Sequence, residues 1–353
     1  MTIQELLKKA LDENASDIFI IAGCPTSFKI NNMLVQVSNV NNRREDTEEI
    51  VHAIYAISSD RSMEILNAKG DDDFSFSLPN IARFRVNVYR QRGSLAAVLR
   101  VVRYDIPNYK ELGIPEQIMD FAKTNKGLVI VSGPAGSGKS STMAVLLDYI
   151  NKHRSAHIVT IEDPIEFLHR HDKSIVSQRE ISTDTESMAS ALRAALRQSP
   201  DVLFVGEMRD LETISLAITA AETGHLVFST LHTLGAANTV DRIIDVFPPL
   251  QQQQMRVQLA MVLEAVISQQ LLKTVDGKLI PAFEVMINTP AVRNQIRDGK
   301  THQLNNTIAS SLDEGMVSMD SMLLDLVKSK KISEAEAISH SFDANLFRKR
   351  IKE

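Results

Sequence analysis

The sequence predicts an α/β protein: a doubly wound, mainly parallel sheet over residues 121–353, preceded by a smaller α+β domain over residues 1–103. Three observations predict it. From residue 127 onward, apolar strand-like runs alternate with amphipathic helical stretches, as a parallel sheet covered on both faces requires. Residues 17–103 carry short strand-like segments around one helical stretch. Between them, "YDIPNYKELGIPEQ" gathers Pro107, Gly113 and Pro115, so a linker is placed over 104–120.

The first domain opens on "MTIQELLKKALDE", where Ile3, Leu6, Leu7, Ala10 and Leu11 share one helical stripe and Thr2 with Glu5 forms a capping box. This start lacks the apolar core of a signal peptide. Strands are expected at 17–23 and 27–37, the latter folded at Asn31-Asn32 as a hairpin. A helical stretch near 46–68 precedes strands at 74–78, 82–90 and 95–103. In "ARFRVNVYR", period-2 alternation puts Arg83, Arg85 and Asn87 on one face and Phe84, Val86 and Val88 on the other. Arg100 interrupts a face shared with Val98 and Val102. A small sheet with helices on one side, in the manner of a PAS-like domain, fits this pattern.

The second domain holds the runs "GLVIVSG" (127–133), "HIVTIED" (157–163), "DVLFVGE" (201–207) and "HLVFSTL" (225–231). Continuous Val/Ile/Leu segments suit buried parallel strands. Helices are expected over roughly 236–353 after them. The reading is a RecA-like domain.

Composition narrows the partners. The chain is 353 residues long with net charge −5 and no long basic block, which argues against a nucleic-acid groove, since phosphate neutralisation needs clustered Lys and Arg. Cys24 is the one cysteine, so a disulfide framework or a Cys-rich zinc site within the chain is excluded. No apolar run approaches the ~20 residues of a membrane helix, and a cytosolic protein is expected.

The chemistry is concentrated at strand ends. "GPAGSGKS" is Gly133-x-x-x-x-Gly138-Lys139-Ser140, a phosphate-binding loop placed after a strand and opening a helix. Its glycines let backbone N–H groups close around phosphate oxygens at the positive end of the helix. The expected cradle is Gly133, Pro134, Ala135, Gly136, Ser137, Gly138, Lys139, Ser140 and Ser141. Lys139 would reach the β- and γ-phosphates of ATP and Ser140 would ligate Mg²⁺. The run "DVLFVGEMRD" delivers Glu207 to the edge where ligands of open α/β sheets bind, as the Mg²⁺-associated acid. In "TIEDPIEF", Glu162, Asp163 and Glu166 crowd one strand end; such acids repel unless a cation or its waters sit there. One of them could take a proton from attacking water, and a polar surface turn is the other reading. "TGHLVFSTLHT" places His225 before a strand and His232 after it, so His232 could sense a γ-phosphate. "HRH" (169–171) reads as a loop.

The phosphate loop, "TIEDPIEF", "VGEMRDLETI" and "AAETGHLVFSTLHT", in this order, resemble the secretion-type hexameric ATPases, within them the retraction motors of type IV pili. "KSIVSQREI", "ISQQLL", "ASDIFIIAG" and "ARFRVNVYR" extend the resemblance over nearly the whole chain. It implies a homo-hexamer that hydrolyses ATP with Mg²⁺ to disassemble pili, working at the cytoplasmic face of the inner membrane with a membrane platform protein. It implies Glu166 as base, Glu207 as the Mg²⁺-associated acid and His232 near the γ-phosphate. Arg83, Arg85 and Arg100 fall in the region supplying trans-acting arginine fingers. Extension and secretion motors usually carry a four-cysteine zinc module, which a single cysteine rules out. Retraction motors carry "AIRNLI"; this chain has "AVRNQI" at 291–296, with Gln295 in place of leucine. A related motor for extension, type II secretion or DNA uptake, and a non-hydrolysing accessory subunit, remain as alternatives.

Overall fold

Thr2 and Glu5 close the capping box: the Thr2 hydroxyl accepts from the Glu5 N–H at 3.3 Å and the Glu5 carboxylate from the Thr2 N–H at 2.8 Å. They start α1 (Ile3–Asp12), whose Ile3, Leu6, Leu7 and Ala10 are buried. This computed structural model describes residues 2–30, 33–59, 61–78, 81–102 and 104–352. The chain divides into two units, Met1–Asp105 with Glu166–Leu168, and Ile106–Ile165 with His169–Glu353.

In the first unit β1 (Asp17–Ile20), β2 (Ser27–Ile30) and β3 (Met33–Gln36) follow α1. The β2 and β3 strands pair antiparallel, while the expected Asn31-Asn32 turn lies outside the described residues. The helical stretch is two helices, α2 (Arg44–Ile57) and α3 (Glu64–Lys69), and a meander of β4 (Asp71–Leu78), β5 (Ala82–Gln91) and β6 (Ser94–Val102) completes the sheet. Strand order is β3-β2-β1-β6-β5-β4, antiparallel throughout. Alternation holds on β5: Phe84, Val86 and Val88 are buried in a core shared with Leu6, Leu7, Val51 and Ile54. Each such side chain contributes roughly 1.5–3 kcal/mol. Buried Asp72 accepts from Tyr55 Oη at 2.9 Å and from Arg61 through two guanidinium nitrogens at 3.0 and 2.9 Å, which satisfies a carboxylate that could not otherwise be buried.

The second unit begins at Ile106, inside the stretch read as a linker. Ile114, with Ile118 and Met119 of α4 (Glu116–Met119), packs into its core, so much of the stretch read as a linker is structural. Then come β7 (Gly127–Ser132), α5 (Lys139–His153), β8 (His157–Glu162), β9 (Ile175–Glu180), α6 (Met188–Ala195), β10 (Val202–Val205), α7 (Leu211–Glu222) and β11 (Leu226–Leu231). After β11 the expectation of helices alone is corrected. Following α8 (Ala236–Asp245) and α9 (Pro249–Val262), the chain forms β12 (Leu263–Lys273) and β13 (Leu279–Ile287). Helices α10 (Pro290–Arg297), α11 (Leu304–Ser310), α12 (Met319–Lys328), α13 (Glu334–His340) and α14 (Ala344–Lys352) follow.

The sheet order is β13-β12-β7-β11-β10-β8-β9, parallel except for β13. Its strands are apolar on both faces because each face has its own core. Leu128 and Ile130 face one that includes Leu192, Ile214 and Val240. Val129 and Val131 face another with Met143, Leu146 and Ile150. Helix α9 passes into β12 with no loop between them, which hides the strand from a reading that looks for turn residues. Two neighbouring amides on β12 point to opposite faces, as a strand demands. Gln269 meets α5, and Gln270 meets α13 through His340 Nδ1 at 2.7 Å and the His340 carbonyl at 3.1 Å. Among the described residues no helix is long and apolar enough to cross a membrane.

Candidate nucleotide site

The strands β7, β11, β10 and β8 are neighbours in that order. The phosphate loop follows β7, His232 follows β11, Glu207 follows β10, and Glu162 ends β8. The register pairs Ser132 with Leu231 and Val205 with both Ser229 and Ile161, so these ends share the carboxyl edge of the sheet. That edge is where open α/β sheets bind ligands.

The loop's form follows from its glycines. Gly133 has φ 144° and Gly138 has φ 90°, both in the region L side chains avoid. At Gly133 an added Cβ would lie 2.1 Å from the Gln269 carbonyl oxygen, and at Gly138 it would lie 2.9 Å from Gln269 Nε2. Pro134, Ala135 and Gly136 are exposed at the tip, Ser137 is buried, and α5 starts at Lys139 with Ser140 and Ser141 half-buried on its first turn. The Ser137 hydroxyl is sealed from solvent without a hydrogen-bond partner, an orphan of the kind a bound phosphate oxygen would satisfy. Lys139 is 7% exposed, and its Nζ donates to the carbonyls of Gly133 at 2.7 Å and Pro134 at 3.0 Å. An ammonium held over a ring of backbone at a helix N-terminus suits an anion.

His232 joins the parts. Its Nδ1 is 3.5 Å from Lys139 Nζ and its Nε2 is 3.4 Å from Glu207 Oε2. With the proton on Nε2, the ring can donate to Glu207 while accepting from Lys139. The structure thus brings together Lys139, Glu207 and His232 as the strand ends imply. Ser140 and Glu207 supply one hydroxyl and one carboxylate, a donor set that suits Mg²⁺ when phosphates and waters complete it.

The carboxylates of "TIEDPIEF" separate. Glu162 is buried and accepts from Thr160 Oγ1 at 2.6 Å and from Gln178 Nε2 at 3.1 Å. Glu166 is exposed and lies in the three-residue piece that groups with the first unit. Arg83, Arg85 and Arg100 belong to that unit as well. Arg83 Nη1 donates to Ser77 Oγ at 3.1 Å, and Arg100 Nε donates to Asp17 Oδ1 at 3.0 Å while its side chain stays 66% exposed. Arg85 stands directly between Ser75 and Arg100 in the register and is exposed.

His225 is structural. Its Nδ1 lies 2.9 Å from the Ala220 carbonyl and 3.2 Å from Thr223 Oγ1, tying the end of α7 to the start of β11. In "HRH", His171 Nδ1 accepts from the Val176 N–H at 3.0 Å, and desolvation pushes His169 down to about 4, keeping it neutral.

Two residues at the site escaped the sequence reading. Arg209 Nη2 lies 2.7 Å from Glu207 Oε2. Gln269 is 3% exposed and accepts from Thr142 Oγ1 at 2.8 Å. Inside a buried strand an amide such as Gln269 must find a partner, but that requirement becomes visible only once β12 is known to be a strand.

The profile of the Type II/IV secretion system protein family matches residues 1–337. The chain is 44% identical over 337 residues to the type IV pilus retractation ATPase PilT of Pseudomonas aeruginosa, covering 96% of this chain and 97% of that protein. Over 337 residues it is also 44% identical to a twitching motility protein of Neisseria gonorrhoeae, covering 95% of this chain and 89% of that one. The crystal structure of the pilus retraction motor PilT with bound ADP superposes with a TM-score of 0.89 at 44% identity, covering 99% of each chain.

Proposed function

This chain belongs to the Type II/IV secretion system protein family, and from that premise we propose that it is a hexameric motor ATPase driving type IV pilus retraction. The observation that carries the reading is the row of Lys139, His232 and Glu207 along one sheet edge, with contacts of 3.5 and 3.4 Å. In the working cycle Lys139 exchanges its hold on the Gly133 and Pro134 carbonyls for the β- and γ-phosphates of ATP. Ser140 and Glu207 would hold Mg²⁺, which when bound would supply charge neutralisation at the phosphates. His232 changes partner when a γ-phosphate arrives between it and Lys139. Glu166 takes the proton of the attacking water. The motor works at the cytoplasmic face of the inner membrane and meets a membrane platform protein there.

Two measurements test this together: ATP turnover by the purified chain, and pilus number in cells lacking it. Turnover with excess surface pili is expected. Absent turnover would leave the accessory-subunit reading, and turnover with fewer pili would leave a motor for extension, secretion or DNA uptake.

Arg83, Arg85 and Arg100 are proposed to act across subunits. A ring of Arg→Ala subunits at the responsible position binds nucleotide but turns over poorly. Mixing with Glu166→Gln subunits partly restores activity, because some interfaces then contain both intact halves. No rescue at any ratio, with mixed rings confirmed by mass, would return these arginines to a solvated sheet face.

Coupling to the pilus is proposed to run through α10. Its Val292 and Ile296 are fully buried, while Arg293 and Arg297 are exposed. Gln295, the departure from the retraction pattern, exchanges hydrogen bonds with Thr307 at 2.9 and 3.1 Å, so the change is accommodated inside the unit rather than on the exposed arginine stripe. Combining Arg293→Ala with Arg297→Ala leaves ATP turnover and hexamer mass within about twofold, since exposed substitutions cost little stability, yet stops retraction. Normal twitching by the double variant would remove this stripe as the coupling surface.

A further inference from the structure

The phosphate loop is braced from beneath by a single residue of another strand. Gln269 on β12 touches it at three places. Its backbone oxygen closes the space beside Gly133, its side-chain Nε2 closes the space beside Gly138, and its Oε1 takes the Thr142 hydroxyl at 2.8 Å, one turn into α5. Gln269 and Thr142 are 3% and 1% exposed. A neutral amide fully enclosed in this way holds its neighbours without competing for an anion, and its lost partner would leave a buried polar atom unsatisfied.

We propose that Gln269 is a positioning residue for nucleotide binding: by fixing both ends of the loop and the first turn of α5, it sets the loop's N–H groups and Lys139 in the phosphate-binding arrangement before the nucleotide arrives. The inference rests on the nucleotide reading above and adds to it a residue outside the loop and outside every strand-end acid. Its chemistry is preorganisation, the ordering cost being met on folding rather than on binding.

The test uses the purified full chain and measures ADP·Mg²⁺ affinity by calorimetry, together with KM and kcat for ATP. Gln269→Leu raises the Kd for ADP by about tenfold and raises KM in parallel, the size expected when one buried hydrogen bond is lost with its partner left unpaired. Thr142→Val breaks the same bond from the other side and weakens ADP binding in the same direction. Thr142→Ser, which keeps the hydroxyl, binds within about twofold of the parent. In the double variant the losses are not additive, because one interaction links the two sites. A role in stability alone would lower the melting temperature and the active fraction but leave Kd unchanged for the folded protein, and that result overturns the proposal. So does an additive double variant. If Gln269→Leu does not fold, the contrast between Thr142→Val and Thr142→Ser decides, and equal affinities overturn the proposal. Failure of the parent chain itself to bind ADP rejects the nucleotide reading and this inference with it; a parent that binds beside a Gln269→Leu variant of equal affinity rejects the inference alone.

Discussion

Lys139→Ala is expected to lower ATP turnover by about 10²–10³-fold, the loss typical of one preorganised electrostatic group, while leaving the loop folded. The loop does not depend on Lys139 for its path: Gly133 and Gly138 are set by their own φ angles and by Gln269. What the ammonium supplies is charge. It is buried, bonded to neutral carbonyls of the loop and close to the His232 ring, so an arriving phosphate meets a cation already stripped of most of its water. A charge that follows the γ-phosphate into the transition state then disappears in the variant. The measurement is steady-state turnover beside a circular dichroism melt. A variant with more than half the parent rate and an unchanged melt would sink the nucleotide-site reading.

Glu166→Gln is expected to keep ATP and Mg²⁺ binding and to lose hydrolysis by at least about 10²-fold, since an amide cannot accept a proton from water. Exposure of Glu166 fits a group that must reach a water and release a proton afterwards. Glu162 provides the contrast. It is buried, and one of its oxygens already receives the Thr160 hydroxyl and the Gln178 amide. Glu162→Gln therefore disturbs packing and stability before chemistry. Glu207→Gln belongs to a third class: it is expected to weaken the Mg²⁺ dependence, and it removes the carboxylate that Arg209 and His232 share. Single-turnover rates across a Mg²⁺ titration separate the three. Normal hydrolysis by Glu166→Gln beside a dead but folded Glu162→Gln would move the base to Glu162.

Which parts are legible in sequence follows from what each depends on. Lys139, Glu207 and His232 can be placed together because a strand end is a position in the chain, and parallel neighbours bring their ends to one edge. The face of β5 is legible for the same reason, since side-chain direction in a strand is fixed by parity. The phosphate loop's brace is not. Gln269 lies 127 residues beyond its partner Thr142, and nothing local distinguishes it from Gln270, which serves a different helix. β12 itself escapes because α9 runs into it without a turn, and its amides break the apolar run that marks the other strands. The linker is misplaced by its prolines: Pro107 and Pro115 do punctuate the chain, but Ile114, Ile118 and Met119 around them are core residues. Asp72 sits in the acidic run Asp71-Asp72-Asp73, and only the fold reveals Arg61 and Tyr55 around it.

The two amides of β12 also set a rule about length. Gln269 and Gln270 differ by one step along the strand, and one serves the loop after β7 while the other serves α13. Substitutions in β12 act on one face at a time, but a one-residue insertion between Leu263 and Gln269 would exchange the faces of everything after it. The loop would lose its brace and α13 its anchor in the same event, and Leu272, which belongs to the C-terminal core, would turn away from it. Between Thr274 and Lys278 the hairpin turns through Val275, Asp276 and Gly277, and the strand's parity no longer sets which face a side chain meets. A one-residue insertion is therefore expected to cost far more within the strand than at the hairpin tip.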